Sequence, residues 1–341
     1  MDLSFSEDQA AVTELFSMFF SKECDGEVVR AHEPLGHSPE LWRKLAEMGI
    51  TTMGVPVDSG GGGLSLLDLS LVAEVFGQSI APVPLVESVV GARLLAAAGS
   101  RDSMGVSLGD TAIPAIALHP AVDGLARLVP AAGVADVVVG LDGADLIAVR
   151  PVEAGAMPPR TNFGCLPIAD VDFRGPTRRV LASGHDARSI HSAAVREWKA
   201  LTASALVGLG RRALGIGLDY VKDRQQFGVP IGSFQAVQHR FADAATLLDA
   251  AELMCRNAAW SVDVDAADAD ALVGQAFVIA SEAAQNSASD SLHFHGGYGF
   301  MLEYDIQLYY RRAKAWSVIW DDPRRELQRV ADALYGPVGG N

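Results

Sequence analysis

Residues 223–242 read DRQQFGVPIGSFQAVQHRFA, and residues 293–299 read His-Phe-His-Gly-Gly-Tyr-Gly. Each stretch closes a segment with helical periodicity. Upstream of the first, Leu201, Ala205, Leu209, Ala213 and Ile216 fall on one apolar stripe. They predict a helix from about 190 to 226, on the order of 50 Å long at 1.5 Å per residue. A second long helix is expected over 234–260 and a third over 269–294, with shorter ones after Glu303 and after Pro323. At the ends of these helices stand the residue types that suit a nucleotide. Arg224 offers forked donors to a pyrophosphate, Phe227 and Phe234 offer rings to a base, and Gly296 and Gly297 let backbone approach phosphate. A plainer reading of the same residues is a basic helix C-terminus and a tight inter-helix turn, and spacing by itself does not choose between them.

The first third of the chain is also helical. Ser6 with Gln9 has capping-box spacing ahead of Val12, Leu15, Phe16 and Phe19. Ser38 and Pro39 start a second helix that Gly49 ends. Further helices are expected over 65–76 and 85–98. Gly60 to Gly63 follow no strand and lack GxGxxG or Walker spacing, so they read as a flexible connector and not as a phosphate cradle. Between about 111 and 183 the texture changes to short apolar runs, 136–139, 146–149 and 180–181, separated by Gly, Pro and Asp, which reads as a compact β segment. The expected fold class is α+β, mostly α: an N-terminal helical domain (1–110), a small middle β domain (111–185) and a C-terminal long-helix bundle (186–341).

With 341 residues, 49% of them hydrophobic and 20% charged, the chain can bury a sizeable core. Its formal net charge of −15 opposes binding to nucleic acid or an anionic membrane surface, which leaves small molecules and proteins as partners. No uncharged run approaches the ~20 residues of a membrane span, and Asp2, Glu7 and Asp8 stand where a secretory signal carries positive charge. A cytoplasmic location is expected. Cys24, Cys165 and Cys255 are too far apart for a disulfide framework or metal knuckle, and His293 with His295 lacks further ligands, so no metal is expected.

The two opening stretches together resemble the C-terminal domain of acyl-CoA dehydrogenases. DRQQFGVPIGSFQAVQHRFA is similar to the family's RxQFG and FQxxQH signature, and HGGYGFMLEYDIQLYYRRAK, from His295 to Lys314, to its second signature. SFSEDQ and MGVPVDSGGGGLSLLDLSLVAEVFG extend the resemblance over nearly the whole chain; it is weakest between 111 and 185. The resemblance implies FAD held across a subunit interface. Arg224 and Gln226 would face its diphosphate or adenosine, with Phe227, Phe234 and Gln235 beside them. His293, Phe294, His295, Gly296 and Gly297 would form the adenosine-side wall, His293 replacing the family's usual Gln.

The chemistry the family performs requires a carboxylate that takes the α-proton of an acyl-CoA while the β-hydrogen leaves as hydride. Family members carry that base at one of two places. Counted without gaps from Ala313-Lys314, one falls on Trp320; counted back from Arg224, the other falls on Trp198. Asp321 and Glu197 are the adjacent carboxylates, but one residue turns a helical side chain by about 100°. Their plain readings are a helix-start cap for Asp321 and a solvated charge for Glu197. The TEP…GSD and WIT-type stretches that hold the flavin ring are absent from 111–183.

This pattern resembles the short subunits of actinobacterial α2β2 acyl-CoA dehydrogenases, several of which act on steroid side-chain CoA thioesters. It implies a chain that lends the adenosine diphosphate half of an FAD site to a partner subunit, in an enzyme that passes electrons to an electron-transfer flavoprotein. The alternatives are a self-sufficient homo-oligomeric dehydrogenase using Asp321 or Glu197, and a non-catalytic interaction protein of the same fold.

Overall fold

A computed structural model describes residues 5–99, 111–152 and 157–336. Ten α-helices are found among them. They are α1 (Glu7–Glu23), α2 (Gly26–Ala31), α3 (Pro39–Glu47), α4 (Leu66–Ser79), α5 (Leu85–Ala97), α6 (Gly184–Asp223), α7 (Gln235–Asp263), α8 (Ala269–His295), α9 (Ile306–Trp316) and α10 (Pro323–Tyr335). The strands are β1 (Pro114–Ile116), β2 (Leu125–Val129), β3 (Val137–Asp142), β4 (Asp145–Val149), β5 (Ala169–Asp172), β6 (Arg179–Ser183), β7 (Gln225–Gln226) and β8 (Val229–Pro230). This is the mostly helical fold expected from the sequence, with strands gathered in the middle.

The residues divide into two compact units, one drawn from 1–26, 70–81 and 199–341, the other from 27–69 and 82–198. In the first, α8 packs against α7, α9 and α10. Ala280, Ala283, Ala284, Ser287 and Ala288 are fully buried along α8, and such short side chains let helix axes come close. The N-terminal helix begins on the expected capping box, with the Ser6 hydroxyl accepting from the Gln9 amide at 3.1 Å and the Gln9 side chain accepting from the Ser6 amide at 3.1 Å. It buries Phe16 and Phe20, and Phe20 meets Phe76, which stacks on Trp316 at 5.6 Å.

The tightest joint in this unit is between α4 and α6. A Cβ on Gly77 would fall on the Ala205 carbonyl, and a Cβ on Gly208 would fall on the Glu74 carbonyl. The two helices therefore touch backbone to backbone at reciprocal positions three residues apart. Beside the joint lies a partly exposed ionic cluster in which Glu252 contacts both Arg211 and Arg256, Arg211 pairs with Asp249 at 2.6 Å and Arg256 approaches Glu74 at 3.9 Å. Burial and the nearby Glu252 push the Glu74 carboxyl up to about 7, despite the opposing charges of Arg256 and Arg211.

In the second unit a four-stranded sheet has the order β1-β3-β4-β6, with β1 parallel to β3 and the remaining pairs antiparallel. β3, VVVGLD, is buried along nearly its whole length, as a continuous apolar run requires. β2 pairs with β5 separately. The sheet is tied to its helices by polar bonds: Trp42 Nε1 donates to the Thr111 carbonyl at 2.7 Å, and His191 Nε2 donates to the Ala117 carbonyl at 2.8 Å.

Two local expectations change. The long helix runs from Gly184 to Asp223 and not to 226, because Phe227 and Gly228 both adopt left-handed backbone angles (φ 54° and 81°) and form a two-residue hairpin turn between β7 and β8. The run Gly60 to Gly63 is an ordered turn and not a flexible connector. The amides of Gly61, Gly62 and Gly63 donate to the carbonyls of Pro56, Thr52 and Val55.

Two outcomes are expected. Gly77→Ala or Gly208→Ala destabilises the protein by about 3 kcal/mol or more, since the clash is with a carbonyl and not with a movable side chain; chemical denaturation measures this. Because the folded Glu74 carboxyl stays protonated where the unfolded one ionises, its contribution to stability is present at acidic pH and lost as pH rises through about 7. Relative to wild type, Glu74→Gln gains on the order of 1–3 kcal/mol between pH 5 and 8, read from denaturation midpoints across that range.

Candidate functional site

Two ring contacts bring the signature segments together. Tyr220, one turn before Arg224, stacks on His295 at 4.0 Å with 22° between the planes, and Phe241, early in α7, packs on Phe294 at 5.3 Å. The C-terminal end of α6, the N-terminal end of α7 and the C-terminal end of α8 are thereby gathered. Sequence reasoning passes over Tyr220; its position one turn before Arg224, whose amide donates to its carbonyl at 2.9 Å, is the one signal it offers.

On this surface Arg224, Gln226, Phe227, Phe234, Gln235, His293, Gly296 and Gly297 are exposed and Phe294 is half-buried. Phe227 is 92% exposed, in a backbone conformation disfavoured for a bulky residue, and touches Phe234 edge to face at 6.2 Å. The Arg224 guanidinium and the side-chain amides of Gln226 and Gln235 make no hydrogen bond or ion pair with any described residue. α7 starts without a side-chain cap and without an acidic residue in its first turn, so its positive dipole end is unopposed. Cβ atoms on Gly296 or Gly297 would meet nothing within 4 Å.

His295 is the exception. It is 4% exposed, its Nδ1 donates to the Ser291 carbonyl at 2.7 Å, and burial pushes its pKa down. It supports the wall from behind through Tyr220 and is not part of the wall's surface.

The four residues at the base positions lie in polar contacts of their own. Trp198 is 0% exposed and its indole N–H donates to Glu87 Oε1 at 3.3 Å. Burial pushes the Glu87 carboxyl above its ordinary value, partly offset by its own backbone amide and by the Trp198 indole. Glu197 is not a solvated charge: it forms a bidentate pair with Arg93, both bonds 2.8 Å, while Arg93 also donates to the Gly54 carbonyl. This pair lines a cavity of about 330 Å³ with Ser59, Leu94, Ser189 and Ala193.

Trp320 Nε1 donates to Glu326 Oε2 at 2.8 Å. Asp321 binds Arg329 at 2.5 Å, and that hydrogen bond holds its carboxyl below the usual range. The cap of α10 is Asp322, whose side chain accepts from the Arg324 amide at 2.9 Å, and not Asp321. Glu197 and Asp321 are both engaged by arginine.

With this geometry in view, similarity to known proteins identifies the class. The family profile described as "Acyl-CoA dehydrogenase, C-terminal domain" matches residues 192–319, and that described as "Acyl-CoA dehydrogenase, N-terminal domain" matches residues 6–104. The chain belongs to the acyl-CoA dehydrogenase family. It is 30% identical to acyl-CoA dehydrogenase IpdE2 of Mycolicibacterium smegmatis over 97% of this chain and 100% of that protein.

Among solved structures it is similar to a chain of the Tcur3481-Tcur3483 steroid ACAD G363A variant (TM-score 0.83, 25% identity, 96% of this chain and 98% of that one). It is also similar to a chain of the ChsE4-ChsE5 complex from Mycobacterium tuberculosis (TM-score 0.81, 26% identity, 99% and 100%). No described helix is long and apolar enough to cross a membrane.

The fold family implies FAD, and the convergent helix ends fit the diphosphate and adenosine end of that molecule: an unpaired guanidinium, an uncapped helix N-terminus, unpaired amides, two exposed rings and an open Gly-Gly edge. If Glu197 serves Arg93 and not a substrate, Glu197→Gln costs about 1–3 kcal/mol of stability by leaving the guanidinium poorly balanced. Turnover of the assembled enzyme stays within a few-fold of wild type. Thermal melts and steady-state rates on one preparation check both halves, and a large rate loss with unchanged stability would make Glu197 the base.

Proposed function

We propose that the chain is a subunit of an FAD-dependent acyl-CoA dehydrogenase that introduces an α,β double bond into an acyl-CoA thioester, and that it lends the adenosine diphosphate half of the FAD site to a partner subunit of the same fold. One observation carries this reading. The residues suited to a nucleotide diphosphate converge, exposed and without partners among the described residues, while both base positions hold tryptophan.

Bound FAD supplies the acceptor for the hydride leaving the β-carbon. This chain's own contributions are to bind and orient. Arg224 and the amides at the start of α7 would hold the diphosphate, and Gln226 and Gln235 would meet ribose or base edges. Phe227 and Phe234 would offer rings to the adenine, while Gly296 and Gly297 would leave room for close approach. His293 lies at the rim of the same surface.

The ring-side motifs that are missing from 111–183 and the catalytic base come from the partner. A thioester of the steroid side-chain class is the substrate favoured by the steroid ACAD relative, and the ChsE4-ChsE5 relative, described as a complex, favours an unlike pair. An electron-transfer flavoprotein takes the electrons, and the enzyme works in the cytoplasm.

The test is a visible spectrum and mass determination on the chain alone and after co-expression with a dehydrogenase-like partner. Flavin absorbance near ~450 nm is expected only in the mixed complex. Arg224→Ala then lowers flavin content at least about tenfold, the loss of a charge-assisted bidentate contact, with a melting temperature close to wild type because the side chain has no structural bond to lose. One FAD per chain in the isolated protein would instead favour a self-sufficient homo-oligomer.

A further inference from the structure

Protein interiors leave few gaps larger than a water molecule, yet a cavity of about 330 Å³ opens among α5, the start of α6 and the turn at 56–59. It stands at the small end of ligand pockets, which span about 300–1,000 Å³. Its lining falls within one compact unit and shares no residue with the proposed cofactor surface. Small side chains keep it open: Ala96 and Ala97 of α5 and Ala193 and Ala194 of α6 all border the space. Exposed Pro56, Ala97 and Ser189 give it a mouth, and buried Leu94 and Ala194 carry it inward.

The polar groups in this cavity are few and fixed. Arg93 clamps both oxygens of Glu197 at 2.8 Å and is itself anchored on the Gly54 carbonyl, so the carboxylate is held against the lining. The two side chains are only 21% and 15% exposed. Among the described residues of the lining no others are charged, so the cavity carries no net charge. Each carboxylate oxygen keeps capacity for a second donor. The Ser59 and Ser189 hydroxyls make no hydrogen bond with any described residue. Leu94, Ile190 and the alanines supply the apolar remainder.

We propose that this cavity is a binding site for a small uncharged amide with an apolar body. The amide N–H donates to Glu197, its carbonyl accepts from a seryl hydroxyl, and the body displaces water from the leucine and alanine wall. A carboxylate in the same place would face Glu197 and an ammonium would face Arg93. Either charged head would also give up hydration that this neutral lining does not replace. The site goes beyond the shared-flavin reading and does not rest on it, since it uses neither the flavin nor a partner subunit.

The test titrates three probes of one shape into the full chain at neutral pH: cyclohexanecarboxamide, cyclohexanecarboxylate and protonated cyclohexylmethylamine. Saturation-transfer NMR and calorimetry read the binding. The amide is expected to bind with a Kd below about 5 mM and at least about tenfold more tightly than either charged probe. Ala193→Leu fills the space and is expected to weaken the amide at least about tenfold, with a melting temperature no lower than wild type. If that variant does not fold, Ala97→Leu, at the exposed end of α5, gives the same loss. Glu197→Gln leaves the Arg93 charge unbalanced and shifts the preference toward the carboxylate probe by at least about tenfold, which a merely structural role for Glu197 would not do.

An amide that shows no saturable binding up to about 20 mM overturns the proposal. Equal affinity for the three probes overturns it as well, as does an amide affinity unchanged in a folded cavity-filling variant. So does a folded Glu197→Gln chain that keeps the wild-type order of preference.

Discussion

The joint between α4 and α6 sets the position of the helix ends that carry the proposed cofactor surface. Gly77 against the Ala205 carbonyl and Gly208 against the Glu74 carbonyl leave no room for a side chain at either position. Such contact fixes the axial position of α6 as well as its distance from α4, because the carbonyls seat only where the Cβ atoms are missing. Downstream, Tyr220 lies on the same helix, and Arg224 follows its last residue with its amide bonded to the Tyr220 carbonyl at 2.9 Å. Twelve residues separate Gly208 from Tyr220, about 18 Å at 1.5 Å per residue, with no kink-forming proline between them. The stack of Tyr220 on His295 then passes that position to the end of α8 and the glycine turn beyond it.

The fold was legible because its signals are local and repeated. Helical stripes and cap residues gave the long helices and the start of α1, and short apolar runs bounded by Gly, Pro and Asp gave the β segment. What escaped was decided by backbone angles or by partners distant in sequence. Phe at a left-handed position is disfavoured enough that no propensity argument predicts the hairpin at Phe227-Gly228. The order of Gly60 to Gly63 depends on carbonyls of 52–56 turning back over the glycines. The chain divides into two units of interleaved segments, the strands β1 and β5 have three and four residues, and Arg127 interrupts the apolar run of β2.

The residues of the proposed cofactor surface could be named from the sequence, but the sequence could not say which of them face outward. His295 lies in the same motif as its neighbours, yet helical geometry turns it inward onto Tyr220 while His293, two residues away, is exposed. The carboxylates show the same limit more sharply. Glu197 and Asp321 look equivalent in sequence, each one residue from a base position, and each is committed to arginine: Glu197 to Arg93, 104 residues earlier, and Asp321 to Arg329 on α10. Long-range pairing of this kind leaves no periodic trace.

Charge distribution gives the cofactor surface its weight. The chain carries 42 acidic residues against 27 lysines and arginines, so a basic side chain has acidic neighbours in abundance, and Arg93, Arg211, Arg256 and Arg329 all pair with them. Arg224 makes no such pair among the described residues. It sits where α7 presents the positive end of its dipole with no acidic residue in the first turn, and where exposed rings flank it. An anion at that spot would meet the Arg224 guanidinium and the uncapped amides of α7 together. A flat aromatic group joined to the anion would also cover Phe227 and Phe234, so a dinucleotide satisfies both features at once, whereas a simple phosphate would leave the rings in water. The same pairing of charges explains why the base positions are quiet. Arginines bind Glu197, Asp321 and Glu326, while Glu87, which accepts from Trp198, is held above its ordinary value by burial.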